Sequence, residues 1–297
     1  MKAFLKENKS LAYFLALTAA VMFSSKAVLI KLSYRYDVDR LTILTLRLGF
    51  AFPVYLLINA LRSKKEDTIP VSGKDWIIII FLGFIGYYIS SYLDFWGLQY
   101  ISAGLERLIL FVYPTITTIL AAILLKKKIT NKQIIAIIIA YFGIFISFQD
   151  NMDNNENVFV GGLLIFLSAL TYAFYLIGAD KLIPKYGATR FTSYCMIVSC
   201  IIVLLHFSAQ QPVNLLNLSW EVYLLGFILS IFCTVLPTYM IGEAIKRIGA
   251  SNTSILSTAG PVSVIFIAYM VLGEPITVPQ ILGTVVVIGG IIYLTRR

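Results

Sequence analysis

Charge is scarce in this 297-residue chain: Asp, Glu, Lys and Arg make up 13% of it, against 59% apolar residues. Ordinary soluble domains carry about twice that charged fraction, and so little polar surface does not suit a water-exposed shell. Histidine occurs once, at His206, so a histidine dyad or a histidine-rich metal centre is excluded. The three cysteines, Cys195, Cys200 and Cys233, fall inside apolar stretches without metal-ligand spacing, and read as small apolar fillers. No Walker loop, GxGxxG, HExxH or nucleophile elbow occurs, which argues against an ATP-driven pump, a nucleotide cofactor and an enzyme. Asp150 and Asp153 have ligand spacing, but in an Asn-rich segment they read as a solvated turn. Neither metal nor cofactor is expected.

What the chain has instead is long apolar runs. A bilayer core about 30 Å thick calls for roughly 20 apolar residues per helix. Ten such runs fit, at about 11–30, 41–61, 76–97, 103–125, 133–149, 158–179, 191–208, 221–243, 248–272 and 278–295. They are continuously apolar rather than alternating, so a β-barrel is excluded and the fold class is all-α, integral to a membrane. The first run is longer than a signal-peptide core and no small-residue cleavage site follows it, so it reads as an uncleaved helix. Aromatic residues at run ends, Trp76, Tyr100 and Trp220, suit the interfacial belt.

The net charge of +9 would suggest nucleic acid in a soluble protein. Here eighteen of the twenty-four basic residues lie in one set of loops and at the two ends. Three more, Lys31, Arg35 and Arg40, lie on the other side, and Lys26, Arg47 and Arg107 lie within runs. This bias puts both termini in the cytoplasm and the chain in the inner (plasma) membrane, with lipid rather than nucleic acid as its partner.

Residues 94–148 align with 241–295 at a constant offset of 147, without a gap and with eleven identities. The shared Pro114 and Pro261 and the Ile129-Thr130-x-x-Gln133-Ile134 turn, repeated from Ile276, carry more weight than the count. Five spans per copy is an odd number, so the second copy is inserted upside down. The loops agree, because Lys126, Lys127 and Lys128 align with Gly273, Glu274 and Pro275, while Gln99 and Tyr100 align with Lys246 and Arg247. The expected units are residues 1–150 and 151–297. Two oppositely inserted copies are the architecture of alternating-access carriers.

The stretches Gly97–Gly104 leading to Pro114, Ala244–Ser251 leading to Pro261, and Val271-Leu-Gly-Glu-Pro-Ile276 followed by Gln280-Ile-Leu-Gly283 resemble the ten-helix EamA-type branch of the drug/metabolite transporter superfamily. The resemblance covers nearly the whole chain as two tandem copies. The Leu-Gly-Glu pattern survives only in the second, the first reading Leu125-Lys126-Lys127, as sidedness requires. It implies a carrier of a small organic solute, among amino acids, drugs, sugars and other metabolites, with export as the direction.

Charges inside membrane spans are costly and usually face a cavity. Lys26, Arg47, Asp94, Glu106 and Arg107 all fall in the outer half of the first copy, Lys26 four residues from the expected end of its helix. Tyr87, Ser91 and Asp94 share one helical face, as do Glu106, Tyr113 and Thr117. Tyr88, Tyr172, Tyr175, Tyr239 and Thr258 complete the candidates for binding or gating, since rings with hydroxyls suit an amphipathic solute. Pro114 and Pro261 are paired hinge candidates. The leading reading is a secondary or facilitative carrier of a small metabolite, an amino acid or related zwitterion, with Glu106 or Asp94 carrying a coupling proton and homo-oligomers allowed. A carrier of an anion is the alternative. A membrane enzyme would show a polar catalytic cluster at one interface, and a scaffold has no need of inverted copies. Single cysteines report the orientation: a cysteine at Asn154 should label from outside and one at Lys127 only from inside, and reversed labelling overturns it.

Overall fold

The computed structural model describes residues 2–63, 70–101, 103–147, 157–210, 213–272 and 276–295. Among the described residues the chain is helical throughout apart from short turns, as apolar runs must be when no water is present to satisfy backbone N–H and C=O groups. In chain order the helices are α1 (Lys2–Tyr34), α2 (Arg40–Ser63), α3 (Gly73–Gly97), α4 (Ala103–Leu110), α5 (Tyr113–Leu124), α6 (Asn131–Ser147), α7 (Val158–Tyr186), α8 (Ala188–Gln210), α9 (Trp220–Leu256), α10 (Ala259–Leu272) and α11 (Val278–Thr295). Six of them, α1, α2, α3, α7, α8 and α9, are long and apolar enough to cross a membrane; α5, α6 and α11 contain shorter apolar helices. Exposed Ile77, Ile123, Leu205, Met270 and Val285 form part of an outer surface that only an apolar solvent tolerates.

Several expected boundaries move. α1 runs past Ile30 to Tyr34, so Lys26 sits two turns inside the helix end and not near its lip. The expected span 103–125 is two helices, broken at Phe111 and Val112. Pro114 is therefore not a kink in mid-helix; it occupies the first turn of α5, where a missing N–H leaves no bond unmade. The junction expected between 221–243 and 248–272 falls at Gly249, and the later of these spans is itself broken at Ser257 and Thr258. Within α9, Gly249 is non-helical (φ 80°, ψ 164°), so the run is two helices joined at that residue. Pro261 lies in the first turn of α10, as Pro114 does in α5.

The 147-residue offset reappears in the backbone. α3 widens into a π-turn at Phe84–Ile89 and α9 does the same at Ile231–Val235, an offset of 147 at the first residue. The break after Leu110 and the break after Leu256 also correspond to within one residue. Packing follows the same exchange: α2 lies on α8, α6 on α11, α1 on α9 and α10, and α7 on α3, α4 and α5.

Small residues allow this closeness, as expected where lipid supplies no hydrophobic drive between helices. α1 presents Ala16, Ala19, Ala20 and Ala27, all buried, along one stripe. In the π-turn a Cβ on Gly86 would lie 2.2 Å from Tyr175 Cβ, so α3 and α7 meet there backbone to side chain. Gly249 has a different role, because its φ and ψ are open to glycine almost alone. Gly249→Ala is expected to cost about 1–3 kcal/mol, whereas Gly289→Ala, a helical site with nothing within 4 Å, should be neutral or gain up to about 1 kcal/mol. Melting temperatures of the two variants in detergent check this, and equal values would remove the backbone argument.

Candidate functional site

The bundle contains a partly open cavity of about 70 Å³. Its walls come from α1 (Ala20, Phe23, Ser24, Lys26), α2 (Arg47), α3 (Gly86, Tyr87, Ser90, Ser91), α4 and α5 (Arg107, Leu110, Tyr113), α7 (Ser168, Tyr172) and α9 (Ile241), with Phe111 and Ser257 from the two breaks. The breaks in the fourth and ninth expected spans thus both open onto the same space.

The five embedded charges are all buried. Lys26 forms an ion pair with Asp94, whose own exposure is 1%. Neither residue snorkels to the interface. Arg107 Nε lies 3.0 Å from Glu106 Oε2, out of line for a hydrogen bond because the two are sequence neighbours. The Arg107 guanidinium also donates to the Phe23 and Ser24 carbonyls at 3.3 Å, filling acceptors on α1. Arg47 donates through Nε to Thr234 Oγ1 at 2.6 Å and through Nη1 to Ser91 Oγ at 3.2 Å, with the Phe95 ring 5.6 Å from the guanidinium carbon. The carboxyls of Asp94 and Glu106 lie close enough to interact with each other as well as with their cations.

Seven sequence candidates therefore border the cavity: Lys26, Arg47, Tyr87, Ser91, Arg107, Tyr113 and Tyr172. Asp94 and Glu106 stand behind it as counter-ions. Tyr175 and Thr117 are buried outside the lining, Tyr175 with its ring 4.6 Å from that of Tyr87. Tyr88 points elsewhere, its hydroxyl 2.8 Å from His206 Nδ1 on α8. Tyr239 pairs with Ser193 at 2.7 Å and packs on Tyr55, and Thr258 donates to the Ile255 carbonyl at 2.7 Å. Pro114 is buried in the first turn of α5, next to the lining residue Tyr113.

Ser24, Ser90 and Ser168 are lining residues that the sequence did not single out. Ser90 lies beside Ser91 on α3, just after the π-turn, and positions 86, 87, 90 and 91 share the face that borders the cavity. Ser90 and Ser168 bond each other at 3.1 Å, joining α3 to α7. Serines recur throughout the chain, so no pattern marked these.

A charged, hydroxyl-lined cavity inside a bundle of lipid-facing apolar helices defines a membrane transport protein. The chain belongs to the EamA-like transporter family, within the drug/metabolite transporter superfamily: the family model matches twice, over residues 10–149 and 159–296. It is similar to a Bacillus subtilis protein named as the uncharacterized transporter YcbK, 28% identical over 94% of this chain and 89% of that one. It is also similar to the uncharacterized transporter YyaM of the same organism, 30% identical over 83% and 81% of the two chains. A Salmonella typhimurium protein named as the uncharacterized inner membrane transporter YicL is 24% identical over 94% and 93%. A crystal structure with 14% identity superposes with a TM-score of 0.78 over 96% of each chain and shares the fold.

Removing one partner of a buried ion pair leaves an uncompensated charge, which typically costs about 3–5 kcal/mol. Lys26→Met and Asp94→Asn should each destabilise by about that much, and the double variant should recover most of the loss. A double-mutant cycle on detergent melting checks it; additive losses would show that the two side chains are not coupled.

Proposed function

We propose that the chain is a secondary carrier that exports a small organic metabolite by alternating access between two oppositely inserted five-helix halves, residues 1–150 and 151–297. In this reading ten helices span the plasma membrane and both termini are cytoplasmic. The observation that carries it is the cavity itself, lined from both halves by charged and hydroxyl side chains. Buried polar groups are expensive in a bilayer, and a bundle that needed only to fold would fill this space with Leu and Ala. The exchange-related packing of α2 with α8, of α6 with α11, and of α1 and α7 on each other's counterparts supports a two-fold relation between the halves. The basic bias of the loops supports its being an inverted one. The printed name of the Salmonella relative supports the inner membrane, and the family resemblance supports export.

A second polar cluster suits alternation. Near the end of α7, buried Asp180 pairs with Lys127 and accepts from the Ala250 backbone N–H at 3.2 Å, just after the Gly249 joint. Gly97 at the end of α3 packs on Gly161 at the start of α7, so Asp180 lies nineteen residues, or about 28 Å, along α7 from the level of Gly97, close to the Lys26–Asp94 pair on α3. The Lys127–Asp180 pair ties the two halves at one end, and the Arg47–Thr234 hydrogen bond ties them near the Lys26–Asp94 pair, as two alternating closures require.

The cations, hydroxyls and tyrosine rings that line the cavity, with the Asp94 and Glu106 carboxyls behind them, support an amino acid or related zwitterion, the solute class favoured from the sequence. The second reading, an anionic solute, is favoured by the pairing state of Arg47. For coupling, the adjacent Asp94 and Glu106 carboxyls supply a place where one proton can be held and released. Liposome flux driven by a proton gradient tests this. Glu106→Gln is expected to abolish gradient-driven accumulation while solute exchange without a gradient persists, and Arg107→Gln to reduce both at least about tenfold (about 1.4 kcal/mol). Melting temperatures measured alongside separate transport defects from folding defects, and normal accumulation in Glu106→Gln would overturn the proton role.

A further inference from the structure

Among the described residues the three cations that line the cavity face two carboxylates, so one positive charge has no ion-pair partner. Lys26 is paired with Asp94 and Arg107 with Glu106. Arg47, 2% exposed, has among the described residues only the hydroxyls of Thr234 and Ser91 as acceptors. A guanidinium has five N–H donors in a planar fork, so three of them have no protein acceptor. Hydroxyls satisfy hydrogen bonds but do not cancel a full charge, and a buried charge without a counter-ion is unfavourable. Because Arg47 borders the cavity, the missing negative charge can arrive with the solute.

The same inventory has a converse. Both carboxylates near the cavity are already engaged by cations, so an ammonium group entering it meets no free acid. One unmatched positive charge calls for one negative charge, which a phosphate dianion would exceed. The rings of Tyr87, Tyr113 and Tyr172 offer the rest of the solute an apolar wall.

We propose that Arg47 is the recognition residue for the carboxylate of an amphipathic monoanion, so that the solute is a small monocarboxylate with an apolar body and no required amine. Two carboxylate oxygens match the free edge of the guanidinium in a fork-to-fork arrangement. The proposal rests on the reading of the cavity as the transport site and decides its solute class in favour of the anion.

The test uses the full chain in detergent and three probes with one skeleton: 3-phenylpropionate, 3-phenylpropanamide and 3-phenylpropylamine. Only the propionate should raise the melting temperature, by several degrees at saturation. Arg47→Gln without ligand should melt no lower than the unaltered protein, because it removes an uncompensated charge, and should lose the propionate response. Arg47→Lys keeps the charge but not the fork, and its half-saturating propionate concentration should rise about tenfold. A response to the amide or amine equal to that of the propionate, or no response to any probe, overturns the proposal. A propionate response retained in Arg47→Gln also overturns it; if that variant does not fold, an unchanged half-saturation in Arg47→Lys has the same force. Labelled 3-phenylpropionate in liposomes separates the two readings: binding without flux removes the carrier and leaves the site, whereas flux of another solute through Arg47→Gln leaves the carrier and removes the site.

Discussion

Inside a bilayer every backbone polar group must find its partner within the protein and every charge must be kept out of lipid, and this demand organises the whole molecule. It makes the chain helical and leaves its apolar side chains facing outward. It also turns the few charged residues into a connected interior set. Lys26 with Asp94, Arg107 with Glu106 and the α1 carbonyls, and Arg47 with two hydroxyls link α1, α2, α3, α4 and α9 through the middle of the bundle. The positions of these groups determine where the cavity lies.

Close approach makes that interior accessible to several helices at once. The alanine stripe of α1, Gly86 against Tyr175, and Gly260 with its missing Cβ 2.2 Å from Ser24 Oγ bring backbones together where larger side chains would hold them apart. The π-turns at Phe84 and Ile231 and the breaks near Phe111 and Ser257 interrupt regular helix at corresponding places. Irregular backbone at membrane depth is tolerated where it lines a cavity rather than lipid, and Phe111, Ser257 and Gly86 do line it. The same features that depart from ideal helix therefore shape the solute space.

Much of this was legible in the residues. Apolar runs of about 20 residues announced membrane helices, the 147-residue offset announced two related copies, and five charges in apolar surroundings pointed to a buried site. That these charges would face the interior rather than lipid followed from cost alone. Pro114 was legible as a special position but not as the first turn of a new helix, because a proline in an apolar run marks a kink and a restart equally well. Ser90 and Ser168 were not legible at all, since a serine in a membrane helix can bond its own backbone as readily as face a cavity.

The environment, the helical class, the repeat and the list of charged residues follow from transfer cost and residue order alone. Which charge meets which follows only from the packed fold. Tyr87 and Tyr88 are neighbours in sequence, yet one borders the cavity and the other turns to His206. Arg47 and Arg107 are similarly buried cations, yet among the described residues Arg107 forms an ion pair and Arg47 does not. Those outcomes depend on helix rotation and on where a π-turn or break shifts the register, and such rotations are set by packing between segments far apart in the chain.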